Sequence, residues 1–164
     1  MRVYLDNCCL QRPLDNQTQP RIRVETEAVF ALLAAAKSGE ISLCNSEVLQ
    51  YEIARIPDDV RRFEALSLLS LASEQLVVTD AAEELAISFE RHGLRALDAL
   101  HLAVASLAKV DYFCTSDDKL FRKAQDIPCL GCKVITLLNL VVEILPCTPS
   151  FNPFLKLISA PGIF

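Results

Sequence analysis

Four carboxylates in this 164-residue chain stand where a carboxylate needs a reason: Asp6, Glu52, Asp98 and Asp117. Asp6 follows directly on Val3-Tyr4-Leu5, an apolar run that reads as a short buried strand. At the carboxyl end of a strand in an open α/β sheet the loops part and ligands bind. Asp6 can equally be read as a turn former, because Asp bonds readily to nearby backbone. Asp98 lies in residues 96–108, where the polar positions are Asp98, His101 and Ser106. A helix of that composition is buried over most of its surface. The helix dipole returns only ~1 kcal/mol to an acid near its start, well short of the cost of burying an unpaired charge. The alternative for Asp98 is pairing with Arg95, or with His101 three residues on and on the same helix face. Asp117 follows the apolar run 112–114 by a few residues and repeats the setting of Asp6. An Asp there also suits a helix N-cap, a role Asp118 could take instead. Glu52 sits among Val48, Leu49, Tyr51 and Ile53, and on its own reads as a solvated helix residue. Glu47 is its rival, at a helix start where an acid is favoured by the dipole alone.

The joint pattern says more than its members. The acids follow strand ends or line a buried helix, and no cluster of Cys and His accompanies them. Oxygen donors of this kind suit Mg²⁺ or Mn²⁺ rather than Zn²⁺. Such ions clamp a phosphodiester, lower the pKa of bound water and stabilise the leaving oxygen. The four acids therefore predict metal-dependent phosphodiester hydrolysis. Cys129-Leu-Gly-Cys132 has the spacing of half a zinc or redox site, but no second pair follows it and neither His92 nor His101 lies at the spacing that would complete it.

The elements that must position these acids can be read from periodicity. Strands are expected at residues 3–5, 41–44, 76–78, 112–114 and 134–135, with helices over 21–37, 46–56, 58–73, 80–91, 95–109 and 118–125. Residues 11–20 read as a polar loop, Asn45-Ser46 as the cap of the second helix and Asp80 as the cap of the fourth. The hydrophobic stretch 138–145 fits either type. Strands alternating with helices predict an α/β fold with a mostly parallel sheet of about five strands. No internal repeat is present.

Length and composition agree with a single densely packed domain: hydrophobic residues make up 52% of the chain. No apolar run reaches the ~18 residues needed to span a bilayer, and the chain enters its first strand without a signal-peptide pattern. The seven cysteines, an odd number with several in apolar runs, read as free thiols in a reducing compartment. A cytoplasmic protein with no membrane partner is expected. The net charge of −5 argues against a general nucleic-acid coat, yet allows a local basic rim around an acidic centre.

The residues then resemble a known family, the PIN-domain nucleases, which include the VapC-type toxins of bacterial toxin–antitoxin modules. Leu5-Asp6-Asn7 resembles the opening strand and first acid, although the residue after that acid is often Thr and here is Asn7. Ser46-Glu-Val-Leu-Gln-Tyr-Glu52 resembles the second motif, a Ser followed six positions later by an acid, and this points to Glu52 over Glu47. Leu97-Asp98-Ala99-Leu100-His101-Leu102-Ala103 resembles the third motif, and Thr115-Ser116-Asp117 the fourth. The resemblance covers residues 1–145. It implies a Rossmann-like, three-layer α/β/α domain and a Mg²⁺- or Mn²⁺-dependent endoribonuclease. It further implies that Asp6, Glu52, Asp98 and Asp117 hold metal and activate water, supported by Thr115, Ser46 and Asn7. The partners it implies are an RNA substrate and a cognate antitoxin. Arg12, Arg21, Arg23, Lys119, Arg122 and Lys123 are the basic residues that could meet RNA phosphates.

Residues 146–164, with four prolines and Phe151, Phe154 and Phe164, lie beyond the resemblance and read as an irregular tail. Two competing readings stand beside the nuclease. One is a catalytically weak PIN-like interaction module or homodimer, using that tail and the Leu-rich segment 63–71. The other is an acidic phosphatase-like hydrolase, which would need a second Asp where Cys8 stands.

Overall fold

The computed structural model describes residues 1–145; the tail expected over 146–164 lies outside the described residues. Five strands form one sheet in the order β3-β2-β1-β4-β5, and every neighbouring pair is parallel. They are β1 (Arg2–Leu5), β2 (Ser42–Ser46), β3 (Glu74–Leu76), β4 (Tyr112–Thr115) and β5 (Lys133–Thr136). The helices are α1 (Asn7–Leu10), α2 (Pro20–Lys37), α3 (Glu47–Ala54), α4 (Asp59–Leu69), α5 (Asp80–Glu90), α6 (Ala96–Leu107), α7 (Asp118–Gln125) and α8 (Leu137–Ile144).

The first strand of the chain is the central strand of the sheet. Successive residues of a strand face opposite sides, and Val3, Tyr4 and Leu5 are all buried, so helices must cover both faces. Helices α2 and α8 pack on each other, while α3, α4, α5 and α6 make a second connected group. That is the α/β/α layering expected from the sequence.

The chain builds the sheet outward from β1 through β2 to β3, then returns to β4 on the other side of β1. The strand order reverses at the carboxyl ends of β1 and β4, the position where open α/β sheets bind ligands. In that register Leu5 pairs with Cys114, so Asp6 and Thr115 leave the sheet side by side.

Several elements differ from expectation. The third strand is Glu74–Leu76, because register with Cys44, Asn45 and Ser46 ends there; Val77 is exposed and the Val78 N–H is taken by Glu47 Oε2 at 2.7 Å. The loop expected over 11–20 contains a 3₁₀ turn, Arg12–Leu14, and the short helix α1 precedes it. Helix α4 ends at Leu69, short of residue 73. Thr79 caps α5 in place of Asp80, its hydroxyl accepting the Ala82 N–H at 3.2 Å. The ambiguous stretch 138–145 is helical as far as Ile144, as part of α8, which buries Leu137 and Leu140. No helix of the described residues is long and apolar enough to cross a membrane.

Candidate metal centre

Asp6 is placed by the sheet. Its N–H bonds Cys114 O at 2.9 Å, extending the ladder to β4, and its carbonyl accepts from Cys9 and Leu10 at the start of α1. The backbone of Asp6 thus caps α1, but its carboxylate makes no capping bond and turns inward, only 7% exposed. The turn-former reading accounts for its backbone and leaves its side chain unexplained. Its Oδ2 accepts from the Thr115 hydroxyl at 2.9 Å and from the Cys8 thiol at 3.0 Å. Burial, reinforced by Cys8, pushes the Asp6 carboxyl well above the usual range. Among the described residues no Lys or Arg forms an ion pair with it. A buried carboxylate in that state favours either a proton or a cation.

Glu52 arrives on α3, and the placement of α3 begins at Ser46. The buried Ser46 hydroxyl caps the helix by accepting the Leu49 N–H at 3.1 Å, and also bonds the Tyr4 hydroxyl at 2.6 Å. Six residues on, Glu52 is half-buried and its Oε2 lies 3.0 Å from His101 Nε2. Burial pushes the Glu52 carboxyl up, but His101 and Asn7 outweigh it and hold the group below its ordinary value. Glu47, the rival acid, is occupied with Val78 N–H on the neighbouring loop.

Asp6, Glu52 and His101 each bring a ligand-capable atom to within 4.8 Å of the others. His101 was expected only as a partner for Asp98. Instead its ring turns to Glu52 on one side and, through Nδ1, to the Tyr4 hydroxyl at 2.6 Å on the other. Sequence carried one signal toward this, its place three residues after Asp98 on a buried helix. Two carboxylates this close offer the oxygen donors that a divalent ion accepts, and the uncompensated carboxylate of Asp6 fits such an ion.

Asp98 lies in the first turn of α6, half-buried, outside that tight group but within its electrostatic reach. Its carboxyl is pushed up by burial first and by the charge of Asp117 next; Glu52 adds to this, while Arg95 and His101 oppose it. Neither pairing foreseen for Asp98 forms as an ion pair among the described residues. Asp117 does cap α7, its Oδ1 accepting from Lys119 N at 2.6 Å and Leu120 N at 3.1 Å. Asp118, the alternative cap, is instead held by Arg21 at 2.6 and 2.8 Å. Thr115 ties the two acidic corners together, donating to Asp6 and accepting the Asp117 N–H at 3.1 Å.

The expected basic rim is largely occupied. Arg12 pairs with Asp15 and Glu25, Arg21 with Glu25 and Asp118, and both guanidinium groups reach Ser116 O. Arg122 and Lys123 bond the carbonyls of Asp118 and Gly93. These side chains brace the β4–α7 corner that carries Asp117. Of the six, Arg23 and Lys119 make no side-chain hydrogen bond or ion pair among the described residues.

A parallel sheet with acids brought together where its strand order reverses defines the molecule as a doubly wound α/β protein with an acidic cluster at that point. The chain belongs to the PIN-domain family, whose profile matches residues 17–126 and whose members are generally nucleases. The matched span includes Glu52, Asp98 and Asp117 and starts beyond β1 and Asp6. Among solved structures, VapBC2 from Rickettsia felis, crystallised with a DNA fragment from its promoter, is similar. It shows 16% identity and a TM-score of 0.54, over 83% of this chain and 98% of that one. PAE2754 from Pyrobaculum aerophilum is similar at 14% identity and a TM-score of 0.52, over 88% of this chain and 98% of that one. At these identities the likeness is one of fold. No functionally curated protein matches the chain.

Proposed function

We propose that the protein is a metal-dependent endoribonuclease in which Asp6, Glu52, Asp98 and Asp117 hold Mg²⁺ or Mn²⁺ and orient the attacking water. The observation that carries this reading is the buried, uncompensated carboxylate of Asp6 brought together with Glu52 and His101. Membership of a family of nucleases supports the reaction class. A divalent ion bound there supplies charge to the scissile phosphate and a lowered pKa to its water. The chain's own residues do the rest. Asp6 is aimed by Thr115 and Cys8, Glu52 by His101, and Asp117 by the turn that its own Oδ1 organises. Asp98, half-buried in the first turn of α6, joins them from the helix that also carries His101.

The catalytic unit in this reading is residues 1–145, acting on RNA in the cytoplasm, with a small antitoxin as its natural inhibitor and a second copy of the chain as its dimer partner. VapBC2, whose fold this chain shares, supports the toxin assignment. Cleavage of RNA with Mn²⁺, lost on chelation and lost in Asp6→Asn and Asp98→Asn, is the expected result. Folded wild-type protein that neither cleaves RNA nor takes up Mn²⁺ would sink the proposal. It would favour a second reading, a catalytically weak PIN-like interaction module. That reading draws support from Val60, Phe63 and Leu66, which recur every third residue along α4 and are exposed, Phe63 by 71%.

A further inference from the structure

We infer that His101 is a positioning residue for Glu52, locked as its Nε2–H tautomer by a buried hydrogen-bond chain through Ser46 and Tyr4. The inference rests on the proposed metal centre only for its functional consequence; the chain itself is a matter of geometry.

The direction of the chain follows from its first donor. The Leu49 N–H can only donate, so Ser46 Oγ accepts it at 3.1 Å. Ser46 then has its own proton to place, and the Tyr4 hydroxyl oxygen lies 2.6 Å away. Tyr4, having accepted from Ser46, donates its proton to His101 Nδ1 at 2.6 Å. Nδ1 is then the acceptor of the ring, and the proton sits on Nε2, facing Glu52 Oε2 at 3.0 Å. Every hydroxyl proton is used and every lone pair invoked is occupied once. The opposite direction, with Nδ1–H donating to Tyr4 and Tyr4 to Ser46, would leave the Ser46 proton without an acceptor in a fully buried place.

The ring has little freedom to do otherwise. His101 is 1% exposed on the buried face of α6, and Tyr4 stacks on Phe113 at 5.4 Å while meeting the imidazole edge-on at 5.9 Å. With its Nε2 proton directed at Glu52, His101 has no lone pair there for a metal. One Glu52 oxygen, Oε2, is therefore engaged and oriented by the ring. This separates His101 from Asp6 and Glu52, although all three lie within 4.8 Å. Ser46 and Tyr4 belong to the same device, one capping the helix that carries Glu52 and the other setting the ring that aims it. Outer partners of this kind typically change metal affinity by about 10- to 100-fold when removed.

The test uses the full chain. In metal-free protein carrying ¹⁵N-histidine, long-range ¹H–¹⁵N correlation should show His101 with a bare Nδ1 and a proton on Nε2. In the same samples the ¹³C carboxyl signal of Glu52 should move in His101→Leu and stay near its wild-type position in His101→Gln, whose amide can still donate. Mn²⁺ uptake, read from the electron paramagnetic resonance of the free ion, should weaken about 10- to 100-fold in His101→Leu and recover to within a few-fold in His101→Gln. Tyr4→Phe, which keeps the stacked ring, should weaken it about tenfold and blur the tautomer, and it serves if His101→Leu does not fold. A proton on Nδ1 in the wild type, or an unmoved Glu52 signal in folded His101→Leu, overturns the inference. So does nitrogen coupling from His101 to bound Mn²⁺, which would make it a ligand. Wild-type protein that takes no Mn²⁺ but shows the expected tautomer and Glu52 response refutes the metal centre and leaves the positioning role standing.

Discussion

An ionised Asp6 would sit in a place that folding alone would not choose for a charge. Thr115 and Cys8 each donate to one of its oxygens, and these bonds do not restore what water would provide to an ionised carboxylate. Replacement by Asn keeps the shape and removes the charge. Asp6→Asn should therefore raise the melting temperature of metal-free protein by roughly 2–6 °C while eliminating RNA cleavage. Thermal unfolding in chelator beside a cleavage assay tests both halves, and a lowered melting temperature would contradict the account. The pH dependence has a definite sign. Burial raises the folded-state pKa of Asp6 above its ordinary 3.8, so the folded state binds the extra proton and stability falls as pH climbs from that value through the raised one. Glu52, held below its ordinary 4.5 by His101 and Asn7 against the push of burial, works in the other direction: its contribution is present above 4.5 and lost as pH falls through the lowered value. Denaturation midpoints of wild type and Asp6→Asn should converge toward acid pH and separate as pH rises.

At the scale of elements, the site depends on two corners. Ser46 ends β2, caps α3 and meets Tyr4 across the sheet, so a single hydroxyl sets where Glu52 points. Ser46→Ala should destabilise the protein by about 1–3 kcal/mol, from the lost cap and the disrupted buried chain. Urea titration would read this, and a change below about 0.5 kcal/mol would mean α3 is held otherwise. The second corner is Gly131, where a Cβ would come 2.1 Å from Ser106 O on α6 and where the N–H donates to Ser106 Oγ at 2.7 Å. Gly131→Ala must push α6 or the β5 approach aside, an overpacking cost of about 1–3 kcal/mol. Helix α6 carries both Asp98 and His101, so the same substitution should lower Mn²⁺ affinity in proportion. Loss of stability with Mn²⁺ affinity unchanged would show that the strain is absorbed on the loop.

At the scale of the molecule, ligand binding and stability are linked. If the acidic cluster takes Mn²⁺, the ion should raise stability by about 2.7 kcal/mol at a hundred times its dissociation constant, and Asp6→Asn should lose that increment. A Mn²⁺-dependent shift that persists in Asp6→Asn would place the ion elsewhere. The exposed stripe on α4 belongs to this scale too. Phe63 is largely out of the core, so Phe63→Ser should leave unfolding free energy within about 0.5 kcal/mol of wild type. If that face joins two copies, the same variant should sediment as a monomer where wild type sediments as a dimer.

The alternation of strand and helix and the burial of α6 were determined by the sequence itself, because hydrophobic periodicity is local and shows along the chain. The parallel five-stranded sheet followed from the same alternation. Four matters waited for tertiary structure. The third strand ended at Leu76 because register with β2 ended there, which no local apolar run reveals. The arginines that looked available for phosphate turned out to be engaged with Glu25, Asp15 and Asp118, acids close to them in space yet up to 97 residues away along the chain. Asp117 kept its ordinary capping role while also lying close enough to raise the carboxyl of Asp98. His101 is the clearest instance. A histidine on an apolar helix face announces only that it needs partners, and β1, β2 and α3 supply them through Tyr4, Ser46 and Glu52. Those partners lie 97, 55 and 49 residues away along the chain. Hydrogen bonds are short and directional, so which side chains complete one another is decided only when the sheet brings them to within about 3 Å.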